Sequence, residues 1–551
     1  MPRYVFRAEP GLHSLTCSLS PQVAIERLPN EILLKIFRQH LYTSPQDWPT
    51  LTHVCQKWRQ IVLDSPQGLR LRLYCTHGTP VLRDLDCWPH FPLVVSYGET
   101  PTLNPPAPED EENIMAALKQ SDRVGSISLS VTKTLLKHLS AISEPFPNLE
   151  ELALQSRANV QVTLPNAFRW GPRLRTLYLT GFPFPALLQH LSLSTSLVDL
   201  RLHEIPSVGY FPPEAFANAL SQLAHLKILS LHFLTLPSRR NFVSLSPDPS
   251  RRVALPALTS LKYRGTSTYL DRFVARIDAP RLGEMGVKFF GQPTMDASQL
   301  GQFIDRIETL TSFDRADVLA YARDISVCFS KLGLALFKLE ISWKPLDWQL
   351  SSLTQICDHF SPFLHCVHDL HISSSQPPSE EADMDRQQWR DLIHAFRGTK
   401  DLHVPSHAQD ILWALFSSED SPATGTTMLP TLRSLRVEEF SSILGPLLEA
   451  KDSFITSRRL SGHPVEFYKV RNEVPTPVRD KSSKSLISFC RFSHSSAYLT
   501  LRPVSSLDDD STVECGGLIA FHVLLLLRVQ YFYCNPAVIY SLLERPRKRS
   551  E

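Results

Sequence analysis

A chain of 551 residues exceeds what one compact core supports, so it folds as several domains or as one elongated repeat array. Its hydrophobic content of 43% and charged content of 20% exclude wholesale disorder, and 57 basic against 55 acidic residues leave a net charge of +2, no global field for nucleic acid or an anionic membrane. Ten scattered cysteines and a start, MPRYVFRAEPGLHSL, without the apolar core of a secretory signal point to reduced thiols and a cytoplasmic or nuclear location.

Residues 1–24 form an expected flexible N-terminus. Leu28-Pro29-Asn30-Glu31 then places proline at a first helical position and an acid in the first turn, which predicts a helix start. Ile32, Leu33, Ile36, Phe37 and Leu41 follow as one stripe at helical period. After a polar turn, Leu51, Val54, Cys55, Trp58, Ile61 and Val62 repeat the spacing and predict a second amphipathic helix, which Ser65-Pro66 stops. Helices this short bury too little surface alone, so they need a partner or the following domain.

The run Leu28-Pro-Asn-Glu-Ile-Leu-Leu-Lys-Ile-Phe37 followed by Leu51-Thr-His-Val-Cys-Gln-Lys-Trp-Arg-Gln-Ile-Val62 resembles the F-box motif, and the resemblance covers residues 25–70. It implies docking to the Skp-type adaptor of a cullin-RING ubiquitin ligase. By the same resemblance Leu28, Pro29, Ile32, Leu33, Ile36, Val54, Cys55 and Trp58 form or support that contact. An ordinary helical hairpin packed on its own protein is the alternative.

From residue 71 to 469 the pattern apolar-x-x-apolar-x-apolar recurs, centred on Ile127, Leu152, Leu177, Leu200, Leu229, Leu261, Met285, Leu339, Leu370, Leu402 and Leu435. Spacings run from 23 to 33 residues, except for a gap of 54 between Met285 and Leu339 that suggests one degenerate unit. The pattern matches the strand segment of leucine-rich repeats. Alternation turns Leu177 and Leu179 inward and Thr176, Tyr178 and Thr180 outward. Glu109 to Ser121 reads as a helical return segment. The fold class expected is therefore α/β, an N-terminal F-box helical module and then an irregular leucine-rich-repeat solenoid, with parallel strands on the concave face and helices on the convex face. F-box and irregular repeats together resemble a large F-box-like group known from fungi, through Leu255 to Gly265, Tyr269 to Leu282 and Arg459 to Pro464.

The tail from 470 to 551 departs from this pattern and is expected to be poorly ordered; its apolar run, Gly516 to Leu527, is too short to span a bilayer. Cys357, His359, His365, Cys366, His368 and His371 cluster in sequence, but alternate faces along a strand keep them from converging on zinc. No P-loop, dinucleotide fingerprint, metalloprotease motif or nucleophile elbow is present, so no catalytic residue, metal or cofactor is assigned and the chain is read as a non-enzyme.

Outward positions mix Glu151, Asp199, Glu284, Glu340, Asp369 and Asp401 with Arg201, Lys262, Arg264, Lys338 and Arg436, without the basic stripe a nucleic-acid reader needs. Neither nucleic acid nor membrane is an expected partner. A protein ligand is, with Tyr178, Arg201, Lys262, His371, His403 and Arg436 as candidate contacts. The leading reading is the substrate-recognition adaptor of an SCF-type ubiquitin ligase. A leucine-rich interaction scaffold whose F-box no longer docks is the alternative, and a hydrolase or zinc enzyme in the histidine-rich segment is a third.

Overall fold

The computed structural model describes residues 28–470, apart from 88, 98–107, 157–170, 184–190, 192–193, 235–251, 291–294, 296, 322–323, 343–345, 375–381, 406–408, 417–427 and 439–444. The expected flexible N-terminus and the tail beyond Val470 lie outside the described residues. Contacts divide the described chain into two compact units, with the break after Leu73. Among the described residues no helix is long and apolar enough to cross a membrane.

The first unit is helical. Its leading helix, Asn30–Thr43, begins directly after Pro29 and buries Leu33, Phe37 and Leu41, spaced by four residues on one stripe. The expected second helix is two: Trp48–Val54 and Gln56–Asp64, separated by Cys55 in extended geometry (φ −158°, ψ 169°). The break re-aims the chain, so that Leu51 and then Trp58, Ile61 and Val62 all reach the same core. Ser65-Pro66 ends the helix as expected, and a last turn, Pro66–Leu69, buries Leu69.

The second unit is built on a large, mostly parallel sheet, which is 16-stranded among the described residues. Several of its leucine units start with a tight turn in which a buried leucine donates its N–H three residues back: Leu149 to Phe146, Leu174 to Gly171, Leu226 to Leu223, Leu258 to Leu255, Leu432 to Leu429. The strand follows two residues later. In the ladder Ile127, Leu152, Leu177, Leu200, Leu229, Leu261 and Met285 stand directly side by side. All seven are buried, and each buried leucine removes its side chain from water for roughly 1.5–3 kcal/mol. Helices such as Pro108–Leu118, Pro213–Leu220, Ser267–Val274 and Leu346–His359 lie between strands in the chain and pack on their neighbours. One tie between them is explicit: Asp271 Oδ1 accepts from the backbone N–H groups of Gln299 and Leu300, capping the next helix, Ser298–Asp305.

The gap of 54 holds the expected further unit, Phe313-Asp-Arg-Ala-Asp-Val318, whose apolar residues are buried and whose Ala316 stands beside Leu370, and it holds an inserted antiparallel strand besides. The two strands are Arg315–Ala320 and Asp324–Lys331, and the second of these runs antiparallel both to the first and to Leu334–Ser342. The chain skips two places in the sheet and fills them on the way back, leaving Leu334–Ser342 beside Glu284–Phe290 and Arg315–Ala320 beside Asp369–Ser374. Two residues, Leu332 and Gly333, make the turn with φ of 51° and 77°, the doubly left-handed geometry of a tight hairpin. Glycine accepts this freely; Leu332 does not, and it stands 86% exposed. As a further consequence Met285 pairs with Phe337, and the expected unit centre Leu339 pairs with Val287 instead.

Candidate functional site

Two surfaces emerge. In the first unit, Phe37 and Trp58 meet edge-to-face at 4.7 Å, and Trp58 is only 4% exposed. Lys57 Nζ donates to the Leu28 carbonyl at 3.0 Å, tying the start of the unit to the helix Gln56–Asp64, and Arg38 Nε donates to the Gly68 carbonyl at 3.3 Å, tying the last turn to the first helix. Pro29, Ile32 and Ile36, at spacings of three and four, form a second apolar stripe about 100° around the helix from the buried one. That stripe is uncovered: Ile32 is 40% exposed, Pro29 is exposed and Ile36 half-buried. Val54, at the end of its helix, is 44% exposed, while Cys55 and Leu28 are half-buried. The expected docking residues thus separate into an accessible set and a core pair, Leu33 and Trp58, that holds the helices in place. Tyr42 and Leu63 are exposed as well, and the sequence reading did not single them out.

On the sheet, the face opposite the leucines is half-exposed, and all six expected contact residues fall on one transverse row. The register runs Tyr178, Arg201, Ser230, Lys262, Gly286, Lys338, Cys328, Asp317, His371, His403, Arg436, Tyr468 across neighbouring strands about 4.8 Å apart. Tyr178 lies beside Arg201, and His371, His403 and Arg436 are consecutive; Lys262 stands between the two groups. Asp317 was missed, because its place in this row depends on the strand skip. Acids do not alternate with cations along the row, as the sequence suggested. Asp317 apart, they occupy the neighbouring rows: Glu151, Asp199, Glu284, Asp369, Asp401 and Glu466 stand two residues earlier, and Glu340 stands two residues later, beside Lys288. Row meets row in ion pairs: Arg201 holds Asp199 through two bonds of 2.9 and 2.8 Å, and Lys262 faces Glu284 at 3.5 Å. This pairing, rather than dilution, is why no basic stripe results. Thr180 departs from expectation in being buried.

Asp369, His371 and His403 bring ligand-type atoms within 4.8 Å of one another. One nitrogen of each imidazole is already used by a guanidinium group. Arg315 Nη2 lies 3.3 Å from His371 Nδ1 and Arg436 Nη1 lies 3.2 Å from His403 Nε2, so both nitrogens act as acceptors. His371 then carries its proton on Nε2, 3.1 Å from Asp369 Oδ1. Burial works against the Asp369 carboxylate, but the neighbouring His371, then His403 and Arg315, hold its pKa below the ordinary value. His403 is pushed down to about 4, by burial first and then by His371. These groups form a polar network along the row. Of the cysteine and histidine cluster set aside on sequence, Cys357 is buried while His359, His365, Cys366 and His368 are exposed, and among the described residues they do not converge.

A second imidazole pair, unforeseen, lies one row further on. His203 and His232 stack at 4.0 Å and 7°. His203 bonds Tyr178 Oη at 3.2 Å and Ser230 Oγ at 2.9 Å, and Ser230 Oγ reaches His232 Nε2 at 3.3 Å. Burial first, then His232, Arg201 and Lys262, push His203 down to about 3; burial, then Arg264 and Lys262, push His232 down to about 4. In the unfolded chain both titrate near 6.5. The stability gained by keeping them neutral is therefore fully present above pH 6.5 and is lost as pH falls from there toward 4, because the unfolded chain takes up protons that the folded one refuses. His203→Gln is expected to flatten the fall in melting temperature over this window, and an unchanged slope would contradict a buried neutral pair.

No curated protein matches the chain significantly. Residues 25–67 match the family model described as F-box-like, and the first unit is accordingly an F-box-like domain.

Proposed function

We propose that this chain is the substrate-recognition adaptor of an SCF-type ubiquitin ligase and that it works in the cytoplasm or nucleus. Its F-box-like domain docks the Skp-type adaptor, and the second unit is an irregular leucine-rich-repeat solenoid whose open strand face captures a protein substrate. The observation that carries the reading is the uncovered stripe Pro29, Ile32 and Ile36, with Val54, in a domain that matches the F-box-like family. An apolar stripe left to water on a small helical unit marks a protein interface. The side-by-side leucine register supports the solenoid, and the paired charges of the opposite face suit a protein surface better than a phosphate backbone. No active site belongs to the chain itself; it supplies proximity, and the recruited enzymes supply the chemistry. Proximity labelling around the full chain, with and without proteasome inhibition, tests this. The Skp-type adaptor and a cullin should be labelled in both conditions, and at least one other protein should accumulate only under inhibition. Labelling without adaptor or cullin would refute the ligase role.

A further inference from the structure

Next to the charged row, on the open face of the sheet, is a hollow of about 160 Å³ whose lining includes Tyr178, Thr180, His203, His232 and Arg264. It falls below the range of about 300–1,000 Å³ typical of small-molecule and cofactor sites. At about 30 Å³ per water it has room for roughly five non-hydrogen atoms, the size of one amino-acid side chain.

Its chemistry is that of an anion site. Thr180 is 4% exposed and its hydroxyl has no hydrogen-bond partner among the described residues, a cost of about 1–3 kcal/mol that a ligand oxygen would remove. Arg201 and Lys262 are each held by a carboxylate, but Arg264 meets none among the described residues; its guanidinium stands exposed, 5.8 Å from the Phe290 ring centroid. Every charged side chain that acts appreciably on the two imidazoles at the floor is cationic. Glu204, exposed at the rim, is not among them. The geometry is also pinned. Glu204 takes a left-handed φ of 50° where the strand register shifts between Leu202 and Ile205, and the Gly181 N–H donates to the His203 carbonyl at 2.9 Å.

We infer that this hollow receives one glutamate or aspartate side chain of the captured protein, its carboxylate paired with Arg264 and hydrogen-bonded by the Thr180 hydroxyl. The inference rests on the reading of the strand face as the capture surface, and it names the side chain that face selects. A phage library of random peptides panned on the full chain tests it. Enriched peptides should share one acidic residue, and its change to the amide should weaken binding of the synthetic peptide by about tenfold. Arg264→Gln should cost the same, and the amide peptide should lose nothing further on that variant, since both changes remove one contact. Thr180→Val, nearly isosteric, should weaken the acidic peptide more than the amide one. Melting curves equal to wild type show that the variants fold. Enriched peptides without an acidic residue, no enrichment, or amide and Arg264→Gln effects that simply add would each overturn the assignment. Failure of the Skp-type adaptor to bind would instead refute the ligase role while leaving acidic-peptide selection intact.

Discussion

Leu200→Asp is expected to abolish cooperative folding of the sheet unit. Leu200 is fully buried and stands between Leu177 and Leu229 in the ladder, so the new carboxylate has neither water nor a partner. Burying an unpaired charge costs several kcal/mol, against a total stability of about 5–15 kcal/mol for a domain. Its neighbour Arg201 points the other way and is part-exposed in its pair with Asp199. Arg201→Ala should therefore cost no more than about 1 kcal/mol. Chemical denaturation followed by circular dichroism separates the two. Equal midpoints for Leu200→Asp and wild type would show that the leucine row is not a continuous core.

Trp58→Ala should destroy adaptor docking, and it should do so by melting the F-box-like domain. With its ring against Phe37 and almost no exposure, Trp58 acts as the core of the unit rather than as a contact. Removing a buried tryptophan costs about 3–5 kcal/mol, which a unit this small does not survive. Ile32→Asp and Val54→Asp are the contrasting pair. Both positions are already exposed, so these variants should keep their helical circular dichroism yet lose adaptor affinity by at least about thirtyfold, the effect of a hot spot worth about 2 kcal/mol. A folded Trp58→Ala variant with normal affinity would remove both roles from that residue.

What the sequence made legible follows from periodicity. A buried leucine in every unit is needed to close one core, so the pattern Leu-x-x-Leu-x-Leu located the strands and the side of each that faces solvent; every one of the six open-face candidates lies on one row. The strand skip at 315–342 was not legible, because pairing order is decided by which strand returns first. Among the described residues its local mark is the Leu332-Gly333 turn. The helix break at Cys55 was hidden for a related reason: both halves keep the apolar spacing of one helix, and the residue that interrupts them carries no proline or glycine. His203 and His232 were passed over since each is unremarkable alone, and Thr180 was expected to face outward and exposed. Only the sheet register brings the two imidazoles into a stack beside a buried hydroxyl.

Direct titration of the full chain with a purified Skp-type adaptor, by calorimetry, tests the central claim most directly. A saturable one-to-one complex is expected for wild type, weakened by at least about thirtyfold in Ile32→Asp while the melting curve stays unchanged. No binding by the folded wild-type chain, or equal binding by the folded Ile32→Asp variant, would contradict it.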